Sequence, residues 1–186
     1  MSTHSDNARP TILAAAAKVI LYEGNRKLSF DRLSQQTGIS KGGLLYHFKS
    51  KEELLIGVIE YAEQILLDNY TAALAGKKPY PGRTLQAYID TLEKTYKPSK
   101  DNLHIVLLNV IAEQPQLLKA YRQLYRRLRN DIGQDGGNFI EQWSIVLTID
   151  GLCLGEQYGQ FGLQPGEYKS LLDHIKMRIT HIQQDA

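Results

Sequence analysis

The chain has 186 residues, of which 42% are hydrophobic and 23% charged, proportions typical of a globular domain rather than a disordered polymer. It contains no apolar run of the ~20 residues needed to cross a bilayer, and the polar start MSTHSDNARP lacks the pattern of a secretory signal. The single cysteine, Cys153, excludes an intramolecular disulfide framework and a zinc site built from several thiolates. We therefore expect a cytoplasmic protein of a reducing compartment that has no membrane partner and needs neither a metal nor a cofactor.

The net charge of +2 conceals an uneven distribution of charge along the chain. Residues 1–51 carry eight Lys or Arg and three Asp or Glu, a net charge of +5, whereas residues 52–186 have a net charge of −3. A basic first quarter followed by a mildly acidic remainder favours contact between the N-terminal part and a polyanion. Chance variation in surface charge is the alternative that composition leaves open.

The hydrophobic pattern is helical almost throughout, and no segment shows the alternation of a strand. In chain order we predict helices at 9–23, 30–37, 41–48 and 51–75. After the break GKKPYPG at 76–82, further helices are predicted at about 83–96, 102–113, 116–131, 139–161 and 166–183. The predicted fold class is all-α, with about nine helices.

Residues 28–51 form the most informative pattern in the sequence. Ser29 and Ser40 are predicted N-caps of two short helices, and Gly38 lies between these helices where the turn requires a positive φ. Two short helices joined by such a turn form a helix-turn-helix, whose second helix enters the DNA major groove. Gly42 and Gly43 are poor helix formers, so they favour close backbone approach to DNA over an ordinary helical role; a loop is the alternative.

The segment from Ile12 to Glu60 resembles the DNA-binding domain of the tetracycline-repressor (TetR) family. The resemblance depends on the string TGISKGGLLYHFKSKEELL at 37–55, in which Ser50-x-x-Glu53 is also a predicted capping box. It implies a three-helix helix-turn-helix head, residues 1–51, followed by an effector-binding and dimerisation domain, residues 52–186. A long helix at about 51–75 would join the two parts.

The resemblance also implies roles for individual head residues. Tyr46 and His47 would donate hydrogen bonds to phosphates, and Lys41 and Lys51 would neutralise phosphates. Further phosphate contacts would come from the Ser40 side chain and from Ser29 and Phe30 at the start of the preceding helix. Base edges would be met by Gly42, Gly43 and Leu44 of the recognition helix.

Direct base reading by this helix would be limited, because residues 41–48 contain no Arg, Asn or Gln. Specificity is therefore expected from Lys41, apolar contacts, backbone amides or DNA shape. Leu44 and Leu45 cannot both be core residues on so short a helix, so one of them is predicted to face the DNA.

For the C-terminal part, the resemblance implies a homodimer that reads a palindromic operator, with the last two helices pairing with those of a second copy. The candidate interface residues are apolar or aromatic: Phe139, Trp143, Val146, Leu147, Leu154, Tyr158, Leu171, Leu172, Ile175, Met177 and Ile179. The alternative is that many of them face the core of their own chain.

An effector pocket is predicted among helices 83–131, with one wall from 139–161. Its candidates are aromatic residues and polar groups on apolar faces: Tyr70, Tyr88, His104, Glu113, Tyr121, Tyr125, Trp143, Asp150 and Cys153. Such a lining suits an aromatic or drug-sized effector, and a carboxylate among tyrosines suits a cation. The alternative is that the tyrosines are ordinary core residues, whereas Asp150 lies in an apolar run and would need a partner.

These features predict a ligand-responsive transcriptional regulator, a repressor that a small-molecule effector releases from DNA. In the expected mechanism the effector tilts the helix at 51–75, so the recognition helices no longer fit major grooves ~34 Å apart. The alternatives are a DNA-binding regulator without an effector, a helical interaction module, and an enzyme using Cys153, Asp150 and His104 or His174.

Overall fold

The computed structural model describes residues 8–95, 106–107, 110–111, 114–120, 122–158 and 161–184, and all regular structure in these ranges is helical. The α-helices are α1 (Ala8–Glu23), α2 (Phe30–Thr37), α3 (Lys41–His47), α4 (Lys51–Leu74), α5 (Arg83–Thr95), α6 (Gln123–Asp135), α7 (Phe139–Tyr158) and α8 (Pro165–Gln184). Two 3₁₀ helices cover Asn25–Lys27 and Pro115–Ala120. The all-α prediction is confirmed.

Most of the predicted helix at 102–113 lies outside the described residues, although positions 106, 107, 110 and 111 are helical. No helix in the described part of the chain is both long and apolar enough to span a membrane.

The chain forms two compact units. The N-terminal unit comprises residues 1–67 and 95–123, and the C-terminal unit comprises residues 68–94 and 124–186. Helix α4 contributes residues to both units, because it runs without interruption from Lys51 to Leu74.

The predicted caps of the short helices are confirmed. The Ser29 hydroxyl oxygen accepts a hydrogen bond from the Arg32 amide at 3.1 Å, and the Ser40 hydroxyl oxygen accepts one from the Gly43 amide at 3.2 Å. Between these helices Gly38 has a φ of +72°, a left-handed conformation that glycine adopts without strain. The turn that sets the angle between α2 and α3 is therefore built from local chemistry.

The predicted capping box before α4 forms only in part. The Ser50 hydroxyl oxygen accepts from the Glu53 amide at 3.1 Å, as expected. The Glu53 carboxylate, however, accepts from the Lys49 amide at 2.7 Å, whereas in a complete capping box it would accept from the Ser50 amide.

The N-terminal unit has a continuous apolar core. On α4 the buried apolar residues of this unit are Leu54, Leu55, Val58, Ile59, Ala62 and Leu66, and Ile65 is half-buried. Apolar residues from the other head segments are also buried: Ile12, Val19, Ile20, Leu28, Leu33, Leu44 and Phe48. Burial of one such side chain contributes ~1.5–3 kcal/mol, so these residues hold the short helices in place.

The predicted continuous helix at 116–131 is wrong. The chain forms a 3₁₀ helix at Pro115–Ala120, and α6 begins separately at Gln123. The reason is a tertiary contact: the buried Glu63 carboxylate of α4 accepts a hydrogen bond from the Gln123 amide at 2.7 Å. A carboxylate at this point satisfies an otherwise unpaired amide of the first turn and interacts favourably with the helix dipole.

Two buried carboxylates organise the C-terminal unit. Asp135 lies 2.6 Å from the Arg83 guanidinium and accepts a hydrogen bond from the Thr84 amide at 2.8 Å. Asp131 accepts hydrogen bonds from the Tyr70 hydroxyl and from Arg127 Nε, each at 2.8 Å. These contacts connect the start of α5 and the end of α4 to α6.

The chain breaks between α6 and α7 at Gly136 and Gly137, which both have positive φ. Gln142 of α7 stabilises this break. Its side-chain oxygen accepts a hydrogen bond from the Gly82 amide at 3.1 Å, and its side-chain nitrogen donates one to the Gly136 carbonyl at 2.7 Å.

Candidate functional site

The recognition-helix candidate α3 has one buried and one exposed side. The Leu44 side chain is 0% exposed, whereas Leu45 is 36% and Tyr46 74% exposed. Leu44 and Phe48 are four residues apart and share the buried side, as helical spacing requires. The expectation that the Leu44 side chain meets base edges is therefore wrong; Leu45 is the leucine that faces outward.

The two glycines of α3 have different surroundings. A Cβ atom at Gly43 would lie 3.0 Å from Ile39 Cγ2 and 3.4 Å from the Ser40 hydroxyl oxygen, so internal packing explains this glycine. A Cβ atom at Gly42 would meet no atom within 4 Å. Both residues lie within α3, so the alternative of a loop is wrong.

The end of α3 carries an exposed cluster of aromatic and basic groups. The Tyr46 and His47 rings meet edge to face with centroids 5.2 Å apart, and Lys49 Nζ lies 5.5 Å from the Tyr46 ring centroid. On the neighbouring segment, the Arg9 guanidinium lies 4.4 Å from the Phe48 ring centroid and donates to the His47 carbonyl at 3.3 Å. The structure thus brings Tyr46 and His47 together with two basic residues.

Sequence reasoning missed Arg9 as a member of this cluster. Arg9 is 38 positions from His47, so no local pattern connects the two. The resemblance of the 37–55 string likewise contains no information about the first turn of α1.

Both lysines predicted to bind phosphate have partners within the chain. Lys41 Nζ lies 2.9 Å from an Asp31 carboxylate oxygen on the surface, and Lys51 Nζ donates to the Asn25 carbonyl at 3.0 Å. An exposed ion pair contributes only ~0–1 kcal/mol, so Lys41 can exchange Asp31 for a phosphate at little cost. Lys51 additionally connects the start of α4 to the segment that follows α1.

The remaining predicted DNA contacts lie at helix starts. Ser29 is exposed and Phe30 half-buried at the beginning of α2, and Ser40 is exposed before α3.

Near the start of α2, Arg32 donates to Glu23, with nitrogen and oxygen atoms 2.7 Å apart. This contact lowers the pKa of Glu23 and raises the pKa of Arg32, because each charge stabilises the other.

Four of the predicted effector residues come together in the C-terminal unit. The Asp150 carboxylate accepts hydrogen bonds from the Tyr88 hydroxyl at 2.5 Å and from the Tyr125 hydroxyl at 2.8 Å. Cys153 follows Asp150 by three positions and hydrogen-bonds with Tyr168. The expectation that Asp150 needs a partner is confirmed, and its partners are two tyrosines.

The environment of Cys153 does not favour thiol chemistry. Burial raises the pKa of this thiol to about 12, the negative charge of Asp150 adds to the effect, and the hydrogen bond with Tyr168 opposes it. The thiol therefore stays protonated at neutral pH, whereas a nucleophilic cysteine requires a lowered pKa. Among the described residues, no group of three or more His, Cys, Asp or Glu is arranged to hold a metal ion.

The other predicted effector residues lie elsewhere or outside the described chain. Tyr70 donates to Asp131 instead of joining Asp150, and burial strongly raises its pKa. Trp143 is half-buried and stacks on Phe139 with ring centroids 5.9 Å apart. His104, Glu113 and Tyr121 lie outside the described residues.

The predicted dimer residues divide into two groups. Val146, Ile175 and Ile179 are buried within their own chain, so their expected place in a dimer interface is wrong. Of the others, Leu147, Leu171 and Met177 are exposed, and Phe139, Trp143, Leu154 and Leu172 are half-buried. The Tyr158 side chain lies outside the described part of the chain. Ile140, which the prediction omitted, is 73% exposed.

Two family models match the chain and together cover most of it. Residues 12–58 match the model of bacterial regulatory proteins of the tetR family. Residues 82–180 match the model of the tetracyclin repressor-like C-terminal domain. The chain belongs to the TetR family. The first of these models describes bacterial regulatory proteins.

Two named bacterial proteins are similar to most of the chain. The chain is 28% identical over 146 residues to the uncharacterized HTH-type transcriptional regulator YerO of Bacillus subtilis, covering 74% of this chain and 50% of that protein. It is 34% identical over 135 residues to the nucleoid occlusion factor SlmA of Vibrio vulnificus, covering 69% of this chain and 60% of SlmA. The chain therefore spans between half and three-fifths of the length of these two relatives.

The TetR fold extends over nearly the whole chain. A TetR-family transcriptional regulator from Streptomyces coelicolor has a TM-score of 0.73 at 19% identity, covering 96% of this chain and 97% of that one. At this level of identity the likeness shows a shared fold.

Proposed function

We propose that this TetR-family protein is a cytoplasmic repressor that binds a palindromic operator as a homodimer and leaves it when a small-molecule effector binds. The outward-facing side of α3 carries this proposal, because its exposed aromatic, hydroxyl and basic groups suit a DNA groove and its phosphates. The proposed division is a DNA-binding domain at 1–51 and an effector-binding and dimerisation domain at 52–186.

On DNA, the proposed phosphate contacts are the Tyr46 hydroxyl, the His47 ring and the neighbouring charges of Lys49 and Arg9. Lys41 would exchange its surface contact with Asp31 for a phosphate. Gly42 and Leu45 would face the base edges, in place of the buried Leu44. The start of α2 at Ser29 and Phe30, the Ser40 hydroxyl and Lys51 complete the proposed contact surface.

The proposed dimer surface lies on the last two helices. Ile140 and Leu147 are seven positions apart on α7, and both are exposed, so they lie on one side of that helix. Leu171 and Met177 are exposed on α8. Exposed apolar side chains on neighbouring helices are typical of an interaction surface, and a second copy would bury them.

The proposed effector site includes Tyr88, Tyr125, Asp150 and Cys153. Effector binding there would shift α4, which contributes residues to both units, and would change the separation of the two recognition helices. For a hundredfold change in DNA affinity, the effector must prefer the released state by about 2.7 kcal/mol.

The first test measures DNA binding by the variant Tyr46→Phe. Fluorescence anisotropy would use a duplex from the chromosomal region upstream of the gene and a scrambled duplex, over a series of salt concentrations. We expect affinity for both duplexes to fall by about tenfold or more, because a hydrogen bond to a charged phosphate contributes ~1.5–3 kcal/mol. The control Tyr80→Phe removes an exposed hydroxyl outside the head and should leave affinity unchanged.

Two outcomes of this titration would contradict the proposal. Wild-type protein that binds neither duplex at low salt would contradict DNA binding by this head. A Tyr46→Phe variant whose loss of affinity depends on the identity of one base pair in the duplex would contradict the phosphate role. Binding of two protomers per duplex is the expected stoichiometry.

A second test uses Gly42→Ala, which separates stability from DNA binding. The new methyl group meets no atom of the protein, and alanine is favoured over glycine in a helix by ~1 kcal/mol, so the variant should be more stable. If the backbone approaches DNA here, affinity should nevertheless fall by about tenfold. Thermal unfolding and anisotropy would measure the two effects.

Gly133→Ala is the matched control, since Gly133 is also an exposed helical glycine at which a Cβ atom would meet nothing within 4 Å. It should stabilise the protein without changing DNA affinity. Equal DNA affinity of Gly42→Ala and wild type would show that Gly42 does not face the DNA closely.

A further inference from the structure

Three aspartates of the C-terminal unit differ in the charge of their partners. Asp131 is paired with Arg127, and Asp135 is paired with Arg83. Asp150 instead accepts hydrogen bonds from two uncharged tyrosine hydroxyls. Within the described residues no Lys, Arg or His forms an ion pair with Asp150, so this carboxylate has hydrogen-bond donors there but no countercharge.

The hydroxyl donors orient Asp150 and leave it able to bind a further group. Each carboxylate oxygen can accept more than one hydrogen bond, and here each accepts one from Tyr88 or Tyr125. Asp150 and Tyr125 are only half-buried, so the carboxylate remains partly accessible. A charge in such an environment is stabilised further by an opposite charge that comes close to it.

The surroundings of Asp150 are aromatic. Tyr88 and Tyr125 contact the carboxylate, and the half-buried Trp143 precedes Asp150 by seven positions on the same side of α7. Aromatic faces attract cations and pack against planar apolar ligands. The ligand that this arrangement suits combines a positive charge with an aromatic body.

We propose that Asp150 is the charge-recognition residue for an aromatic organic cation, which is the effector class of this regulator. The inference rests on the proposed effector response and specifies its ligand. Tyr88 and Tyr125 orient the carboxylate towards the cationic group, and the aromatic side chains contact the planar body. Asp131 and Asp135 do not serve this role, because arginines already neutralise them.

The test compares two probes that share a ring system and differ in charge. N-methylacridinium carries a permanent positive charge, and acridine is uncharged at mildly alkaline pH. Fluorescence titration of full-length protein should show that wild type binds N-methylacridinium at least tenfold more tightly than acridine. Asp150→Asn keeps the side-chain size and removes the charge, so it should abolish this preference while leaving acridine affinity unchanged.

Asp173→Asn is the matched control, because Asp173 is an exposed aspartate on α8 of the same unit. It should bind both probes as wild type does. Thermal unfolding of all three proteins would verify that Asp150→Asn remains folded, and Asp173→Asn should have the operator affinity of wild type without probe.

The outcomes separate this inference from the proposed function. If wild type does not bind N-methylacridinium, binds acridine equally well, or keeps its preference in Asp150→Asn, the inference is overturned. If operator binding is intact in those cases, the repressor proposal stands. Absence of operator binding by wild type without probe would overturn the repressor proposal itself, whatever the probe titration gives.

Discussion

Replacing Leu44 with alanine is expected to destabilise the protein by about 2–5 kcal/mol, the range for removing a fully buried leucine side chain. The same replacement at the adjacent Leu45 should cost less than about 1 kcal/mol, because surface substitutions have small effects. The two residues are 0% and 36% exposed, respectively. Urea denaturation of the two variants would measure the difference in the free energy of unfolding.

This pair also tests which leucine faces the DNA. Leu44→Ala should lose DNA binding in proportion to the fraction unfolded, with unchanged sequence preference in the folded fraction. Leu45→Ala should stay folded and discriminate less between operator and scrambled duplexes. If Leu45 contacts thymine methyl groups, replacing those thymines with uracil should weaken wild type and leave Leu45→Ala unaffected. Equal destabilisation by the two substitutions would contradict the assignment of Leu44 to the core.

The second large effect is expected at the buried ion pair between Arg83 and Asp135. Arg83→Met keeps much of the side-chain volume and removes the charge, so the Asp135 carboxylate stays buried without its cation. Breaking a buried pair in this way costs ~3–5 kcal/mol, and the midpoint of urea denaturation should fall accordingly. The Thr84 amide would remain as a donor to Asp135, but it supplies no charge.

The matched control is Arg178→Met in the same unit, where Arg178 and Glu141 form an exposed pair with nitrogen and oxygen atoms 3.6 Å apart. This change should cost ~0–1 kcal/mol. The double variant Arg83→Met with Asp135→Asn should recover part of the lost stability, because it removes the unpaired charge. A loss for Arg83→Met no greater than that for Arg178→Met would contradict a stabilising role of the buried pair.

Features that depend on neighbours three or four positions away were predictable from the sequence. The Ser29 and Ser40 caps each accept an amide hydrogen bond from three residues further along, and the positive φ of Gly38 follows from the turn between two short helices. The helical periodicity, together with the TGISKGGLLYHFKSKEELL string, was sufficient for the fold class and the family. These signals are local, because capping and helical spacing act within one or two turns.

Contacts between distant positions were not predictable in this way. The Glu63 carboxylate that caps α6 is 60 positions from Gln123, and the tyrosines that hold Asp150 are 62 and 25 positions from it. Arg9 reaches the end of α3 across 38 positions. No periodicity identifies such pairs, since they depend on how the helices fold onto one another.

The sequence by itself therefore determined the all-helical class, the helix-turn-helix and the TetR family of this protein. Only the tertiary structure decided which leucine of α3 is buried, where α6 begins, and which carboxylate lacks a countercharge among the described residues. The physical reason is the range of the interactions. Caps and helical periodicity are set by neighbouring residues, whereas burial and ion pairing are set by the residues that folding brings from elsewhere in the chain.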